Sequence, residues 1–362
     1  MKKPTAQELQ AGKLALRPVR KASLGPLDVS QTSLGRAVGD TPHGFADAVR
    51  GMRDGITQLR AHLNDQGGIS GPAQTYARTS MNEWARRTHQ AVSGLEPAMQ
   101  HAYAGKATRV VYDNWRAEAP QARTDAQATL QTLITKSRQS QRTGVEVYDQ
   151  ASKRSPASVE RHKGEEGALN RFAYRMNPIQ GRAKDPSGAS SRLSLNFDVA
   201  QGAQMVKRII DVVQSQPAVV RQSKIMGPGT IGKRVDDAVV YLGMNKPSVD
   251  EARRVDHALS SGVQPPARRA APPGMEPLSA VSAYAEYMPN TSSSHGNNRG
   301  AFVEQVVQAQ ALGSTQSTST LMAQALSTGG YHPAQPSRIM TPMQRLLTNE
   351  MAARRRAMGY ED

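Results

Sequence analysis

The chain has 362 residues, a formal net charge of +16 at pH 7 and no cysteine. The missing cysteines exclude disulfides, cysteine metal sites and thiol nucleophiles, and the positive charge favours an anionic partner. Aromatic residues make up only 4% of the chain, which disfavours nucleic-acid binding by base stacking. No apolar run approaches the roughly 18 residues of a membrane helix, so we expect neither a signal peptide nor a membrane partner.

The first 140 residues divide into three predicted segments. Residues 1–42 are polar and interrupted by proline and glycine, which predicts disorder. Residues 43–70 place apolar side chains at helical spacing, so one helix face is apolar and could bind a partner. Residues 71–140 continue the helical pattern, and their two tryptophans, Trp84 and Trp115, are predicted core anchors of a small helical layer.

The pattern changes in residues 141–335. Short segments rich in Val, Ile, Leu, Tyr and Phe predict strands, and amphipathic helices separate them. The predicted strands are 144–149, 171–178, 191–197, 221–226, 236–243 and 278–289. This alternation predicts an α+β fold, with a helical N-terminal layer followed by a mostly antiparallel sheet covered by helices. Residues 336–362 are predicted to form a basic C-terminal helix.

A glycine-rich stretch, SKIMGPGTIGKRVDDAVVYLG, covers residues 223–243. Gly227, Gly229 and Gly232 have the spacing of a dinucleotide-binding loop and also fit a phosphate-binding loop. Both motifs require a helix after the glycines, but DDAVVYLG predicts a strand. Arg234 also stands where a serine or threonine would hold magnesium. We therefore expect a turn between two strands of one sheet, and no nucleotide cofactor.

No metal site is expected either, because the eight histidines do not form a recognisable ligand pair. The sequence also lacks the G-x-S-x-G motif of a serine nucleophile. The chain is therefore expected to work without a cofactor.

An ordered series of motifs carries a family resemblance. RFAYRMNP, SRLSLNF, SKIMGP, DDAVVYL, PLSAVSAYAE and HGNNRG, in this order, resemble the HopA (HopPsyA/HrmA) family of type III secretion effectors from plant-pathogenic bacteria. The likeness covers roughly residues 80–335, and 71–335 would form the effector domain, with a helical part to residue 140. It implies that residues 1–42 carry a secretion signal and that a small acidic chaperone binds residues 43–70.

The resemblance also implies a virulence protein delivered into the host cell. Family members are associated with suppression of plant immunity or, in resistant plants, with a hypersensitive response. Two mechanisms remain open. In the first, the basic surface binds a host immune-signalling protein and disrupts its complex without chemistry. In the alternative, the chain is a lyase that removes phosphate from phosphoserine or phosphothreonine of a host phosphoprotein. A weaker alternative is a nucleic-acid-binding protein, which only the net charge favours, so nucleic acid is not expected as a partner.

The lyase alternative comes from a further resemblance, to proteins that act beside kinases in lanthipeptide synthesis and to phosphothreonine lyases of the OspF type. Such β-elimination needs a base, cations that hold the phosphate, and an acid for the leaving group. The resemblance implies that Lys224 is the base or stabilises the enolate, and that His295 is the acid. It also implies that Arg171, Arg175 and Arg299 bind phosphate, and that Asp236 and Glu286 orient the cations. Each of these residues also has a purely structural interpretation, such as an ion pair or a solvated side chain.

Overall fold

The computed structural model describes residues 73–93, 120–179, 189–243, 248–266, 271–288 and 294–342. The sequence-based predictions for residues 1–42 and 43–70 and for Trp115 lie outside these residues. No helix in the described part is long and apolar enough to cross a membrane.

Helices surround the sheet. Their bounds are α1 (Ala73–Val92), α2 (Pro120–Arg138), α3 (Ser140–Thr143), α4 (Pro156–Leu169), α5 (Gly202–Ser215), α6 (Val249–Ser260), α7 (His295–Ala311) and α8 (Thr318–Thr328). Serine residues are the N-caps of three helices. The side chains of Ser155, Ser248 and Ser317 accept hydrogen bonds from the backbone N–H groups of Ser158, Glu251 and Thr320. These bonds satisfy donors that a first helical turn leaves open.

The strands are antiparallel in every pair. Their bounds are β1 (Val145–Asp149), β2 (Ala173–Pro178), β3 (Ser191–Leu195), β4 (Val220–Met226), β5 (Ala238–Leu242), β6 (Glu276–Pro277), β7 (Ser282–Glu286), β8 (Tyr331–His332) and β9 (Gln335–Ile339). Seven of the strands in the described residues form one sheet in the order β1-β2-β4-β5-β3-β7-β6, and β8 pairs with β9. This architecture confirms the predicted α+β fold.

One face of the large sheet is the hydrophobic core. Leu193, Leu195, Ile225 and Val240 point from the central strands into a cluster with α2, α4, α5 and α6. Since side chains alternate between the faces of a strand, the neighbouring residues in these strands must point to the other face. The core therefore determines which side chains are available for a site.

A second group of elements covers the β6 end of the sheet. Helix α1 packs against α7, α8, β6 and β9. Trp84 is buried in α1, which confirms the prediction that this tryptophan anchors a core. The Tyr76 hydroxyl of the same helix donates a hydrogen bond to the carbonyl oxygen of Ala271, 2.7 Å away.

The predicted C-terminal helix cannot begin at residue 336, because Gln335–Ile339 forms strand β9. Tertiary contacts hold this segment extended. Arg338 forms an ion pair with Glu276 at 2.6 Å, and the backbone N–H of Ile339 donates to Glu286 Oε2 at 2.9 Å. Residues 343–362 lie outside the described part of the chain.

The glycine-rich stretch joins β4 to β5, which are antiparallel neighbours. This arrangement confirms the predicted turn. The backbone N–H of Gly227 donates to the carbonyl oxygen of Phe172 at 3.1 Å, and a Cβ atom at Gly227 would lie 1.7 Å from the carbonyl oxygen of Arg171. Gly232 has φ of 81°, which glycine adopts without strain. Two of the three glycines are thus explained by backbone geometry.

We predict that Gly227→Ala lowers the free energy of unfolding by about 3 kcal/mol, the upper end of the cost of overpacking. The added methyl group cannot fit unless the turn moves away from Arg171. Gly313→Ala is the control, because Gly313 has φ of 89° and nothing within 4 Å of an added Cβ. That variant should lose only about 1 kcal/mol, from backbone strain. Urea unfolding measures both values, and a Gly227→Ala variant as stable as the control would contradict the packing of this turn.

Candidate functional site: the cationic face of the sheet

Polar side chains occupy the face of the sheet opposite the core. Arg175 on β2 pairs in register with Lys224 on β4. Tyr241 on β5 pairs with Gln222 on β4 and with Arg192 on β3. We call these five residues the cationic face. Their neighbours Tyr174, Ile225 and Val240 lie in the core, so strand alternation directs all five to the same side.

Lys224 is buried in this face, with 8% of its surface exposed. Burial lowers the pKa of its ammonium group; nearby Arg192 and Arg234 add to that shift, and Tyr241 and Asp236 oppose it. Among the described residues, no hydrogen bond or ion pair holds the ammonium group. A lysine with a lowered pKa in such a position can act as a base near neutral pH.

The ring of Phe172 links Lys224 to the protein surface. Phe172 is 50% exposed, and its ring centroid lies 5.6 Å from Lys224 Nζ and 5.5 Å from Arg234 Cζ. A half-exposed aromatic ring between two cations marks the rim of the cationic face. A ligand that reaches Lys224 from solvent would contact this ring.

Arg175 has neutral hydrogen-bond partners. Its Nε donates to Gln150 Oε1 at 3.0 Å, and its Nη1 donates to Gln222 Oε1. Burial lowers the pKa of the guanidinium, although arginine stays charged. Because amide oxygens do not neutralise the guanidinium, Arg175 keeps a positive charge that an anion could balance.

Asp236 contacts two arginines at this site. Its Oδ1 lies 3.0 Å from Arg234 Nε, and its Oδ2 lies 3.7 Å from Arg192 Nη2. The residue is buried, so these contacts are screened less than surface pairs are. The supporting role of Asp236 in catalysis stays a prediction. Among the described residues, the cations around Asp236 outnumber the carboxylate, which favours an anionic ligand.

His295 lies at the start of α7 and is fully buried. Its Nε2 is 2.7 Å from the carbonyl oxygen of Pro273, which can only accept, so Nε2 carries the proton. Its Nδ1 is 3.3 Å from the Tyr287 hydroxyl and accepts from it. Burial, and then Arg192 and Arg299, hold the pKa of His295 well below its ordinary value. A neutral ring with both nitrogens occupied is poorly suited to the predicted role of acid.

Arg299 is also held by the fold. Its Nη2 donates to the backbone carbonyl of Glu286 at 3.0 Å, and its Cζ lies 3.9 Å from the ring centroid of Tyr331. The Glu286 carboxylate instead accepts hydrogen bonds from Arg338 at 3.2 Å and from the N–H of Ile339 at 2.9 Å. These contacts join α7 and β9 to the end of β7, and phosphate binding by Arg299 stays a prediction.

Arg171 forms a two-point ion pair with Asp149 at the end of β1. The Nε–Oδ1 distance is 3.1 Å and the Nη2–Oδ2 distance is 2.7 Å.

Of the seven site residues predicted from the sequence, the structure brings Lys224, Arg175 and Asp236 together. It gives Arg171 and Glu286 other partners.

The sequence analysis missed three members of the cationic face: Arg192, Gln222 and Tyr241. A local signal existed for Arg192, because SRLSL alternates polar and apolar residues and so separates Arg192 from Leu193 and Leu195. The neighbours of Arg192 across the sheet depend on strand order, which no local pattern contains.

Among the described residues, no group of three His, Asp or Glu side chains could hold a metal ion.

The Asp149 carboxylate gives a prediction for acid stability. Burial would raise its pKa, but hydrogen bonds from Arg171 and Ser152 outweigh burial and lower the pKa to about 2. An acid with a lowered pKa stabilises the fold above its unfolded-state pKa of about 4, and this contribution is lost as the pH falls towards 2. Asp149→Asn should therefore be less stable than the unmodified chain at pH 6, and the difference should shrink between pH 4 and pH 2.

Thermal unfolding of both chains across this pH range makes the measurement. Glu166→Gln is the control, because it removes the exposed ion pair with Arg123, which contributes little. A constant difference between Asp149→Asn and the unmodified chain from pH 6 to pH 2 would contradict a lowered pKa.

Sequence comparison places part of this chain in a known group. Residues 165–338 match the HopA1 effector protein family. Protein HrmA of Pseudomonas syringae pv. syringae is 26% identical over 167 residues, which are 45% of this chain and 42% of that protein. The chain thus matches less than half of the length of this curated relative.

Solved structures extend the similarity to the fold. The effector protein from Pseudomonas syringae pv. tomato strain DC3000 has a TM-score of 0.56 at 20% identity, covering 74% of this chain and 99% of that chain. The effector protein from Pseudomonas syringae pv. syringae strain 61 has a TM-score of 0.55 at 19% identity, covering 74% and 98%. The family match over residues 165–338 and the shared fold lead to one conclusion: this part of the chain is similar to the HopA1 effector protein family, and its fold is that of Pseudomonas syringae effector proteins.

Proposed function

We propose that this chain is a type III secreted virulence effector that eliminates phosphate from a phosphorylated serine or threonine of a host protein. The observation that carries the proposal is the register pair of Lys224 and Arg175. It combines a buried lysine of lowered pKa with an arginine whose partners are neutral amides. The match of residues 165–338 to an effector protein family supports delivery into the host cell.

Each group has a role in this reaction. The phosphate dianion binds beside Arg175, with Arg192 and Arg234 contributing positive potential. Neutral Lys224 takes the proton from Cα of the phosphorylated residue. The Cβ–O bond then breaks, which forms a Cα–Cβ double bond and releases phosphate. The same cations stabilise the negative charge that develops on the substrate carbonyl group.

Disruption of a host immune complex by binding alone is the second candidate. The net charge of +16 favours an acidic partner surface, and Leu312 at the end of α7 is 82% exposed. Such a mechanism would depend on exposed residues and not on the buried cationic face. The two candidates therefore respond differently to a change at Lys224.

We predict that Lys224→Arg and Lys224→Met both lose phosphate elimination. The arginine variant keeps the charge that attracts phosphate but cannot release its proton near neutral pH, so it separates a base from a binding cation. Lys207→Met removes the same charge from the exposed surface of α5 and should keep full activity. Mass spectrometry of phosphothreonine and phosphoserine peptides should show a loss of about 98 Da, the mass of phosphoric acid, with the unmodified chain.

Two results would contradict the lyase function. One is an unchanged mass for every phosphopeptide, including those in a phosphorylated plant-cell extract. The other is full activity in Lys224→Arg, since this outcome would exclude Lys224 as the base. A chain without lyase activity that still disrupts a host complex would support the second candidate.

A second prediction concerns delivery. Deletion of residues 1–42 should abolish transfer into plant cells, because a polar leader is proposed to carry the secretion signal. A reporter enzyme that is active only inside the plant cell measures the transfer. The purified deletion variant should keep the circular dichroism spectrum and melting temperature of the full chain. Loss of its fold, or undiminished transfer, would contradict the proposed role of this segment.

A further inference from the structure

Tyr241 lies at the centre of the cationic face. It pairs in register with Gln222 on one side and with Arg192 on the other, while Lys224 pairs with Val239 on the same strand as Tyr241. Lys224 and Tyr241 are therefore diagonal neighbours on one face of adjacent strands, a spacing of roughly 7–8 Å between Cα atoms that long side chains can bridge.

The hydroxyl of Tyr241 is buried among charges. Only 4% of the residue is exposed, and its hydroxyl forms no hydrogen bond with the part of the chain that the structure describes. Burial raises the pKa of this phenol, but the cations outweigh burial and leave the pKa below its ordinary value. The charged or titratable groups that influence Tyr241 come from β2, β3, β4, the β4–β5 turn and the residue after β7: Arg175, Arg192, Lys224, Asp236 and Tyr287.

We propose that Tyr241 donates the proton to the leaving phosphate oxygen. This inference rests on the proposed lyase function and adds the acid that the reaction requires. His295, the acid predicted from the sequence, is already bound at both ring nitrogens by Pro273 and Tyr287. Tyr241 is instead a diagonal neighbour of the proposed base, and no hydrogen bond within the described residues occupies its hydroxyl.

The proposed step balances. The Lys224 amine takes the Cα proton and becomes an ammonium, and the electrons of the Cα–H bond form the double bond. The Cβ–O bond breaks, and its electrons move to the bridging oxygen. Tyr241 transfers its proton to that oxygen and becomes a phenolate. The products are a dehydroamino acid residue and hydrogen phosphate.

A proton transfer between the two residues then restores their starting protonation states. The Lys224 ammonium passes a proton to the Tyr241 phenolate, either directly or through water, so both groups return to their starting states. The proton that leaves Cα thus equals the proton that phosphate gains. No other acid, base or co-reactant is needed, which explains why a lysine and a tyrosine would be placed side by side on a buried face.

The test compares Tyr241→Phe with the unmodified full-length chain on two peptides of the same sequence. One peptide contains phosphoserine and the other O-sulfoserine, whose sulfate leaves without needing a proton. The rate with phosphoserine should fall by at least about 100-fold, as expected for loss of a general acid. The rate with sulfoserine should fall by less than about 10-fold, because Lys224 still acts as the base.

The control is Tyr174→Phe, which removes a phenol hydroxyl from the opposite face of the sheet. That hydroxyl donates to the carbonyl oxygen of Ala168, 2.8 Å away. The control variant should keep the same ratio of phosphoserine to sulfoserine rates as the unmodified chain. Melting temperatures of both variants separate a chemical effect from a loss of folding.

A second measurement needs no variant. The phosphoserine rate of the unmodified chain should fall at alkaline pH as Tyr241 loses its proton, whereas the sulfoserine rate should not. Two results would overturn the role of Tyr241 as acid: an equal loss of rate on both peptides in Tyr241→Phe, or a fall of the rate at alkaline pH with both substrates. An unmodified chain that eliminates neither group would overturn the lyase function and, with it, this inference. Phosphoserine elimination at an undiminished rate by Tyr241→Phe would overturn the inference alone.

Discussion

Burial of several cations on one face of the sheet is the constraint on which the structure depends. Removing an ion from water costs roughly several kcal/mol in proteins, even after the surroundings adjust. Arg175, Arg192 and Lys224 can occupy this face because apolar side chains of the same strands fill the core on the other side. The cost remains large because amides rather than carboxylates hold Arg175. A bound dianion would offset this cost, which is why we propose an anionic ligand for this face.

The turn between β4 and β5 keeps this arrangement in place. The Asp237 carboxylate accepts hydrogen bonds from the N–H of Gly232 at 2.7 Å and from Asn196 Nδ2 at 2.8 Å. These bonds connect the turn to the end of β3. They thereby position Asp236, the adjacent residue, beside Arg192 and Arg234. The glycine-rich stretch thus supports the cationic face through its backbone, although it lacks the structure of a nucleotide-binding loop.

The sequence could predict the elements that local patterns determine. Short segments rich in Val, Ile, Leu, Tyr and Phe predicted the central strands, and the residues after Gly232 predicted a strand instead of a helix. Strand order and register could not be predicted from the sequence, because they depend on contacts between distant segments. The family resemblance singled out Lys224, Arg175 and Asp236, which the structure places near one another, but it did not include Tyr241, whose neighbours lie across the sheet. For the same reason, the sequence could not predict the ion pair between Arg171 and Asp149. Strand β9 was missed because contacts with Glu276 and Glu286 hold it.

The most direct test of the account is the crystal structure of the full-length chain with a phosphothreonine peptide whose bridging oxygen is replaced by a methylene group. This phosphonate keeps the charge of the phosphate but cannot be eliminated. The account predicts that its oxygens lie within hydrogen-bond distance of the Arg175 guanidinium, with Cα of the modified residue next to Lys224 Nζ and Tyr241. A phosphonate bound elsewhere on the protein, or none bound at millimolar peptide, would contradict the claim that the cationic face recognises a phosphorylated side chain.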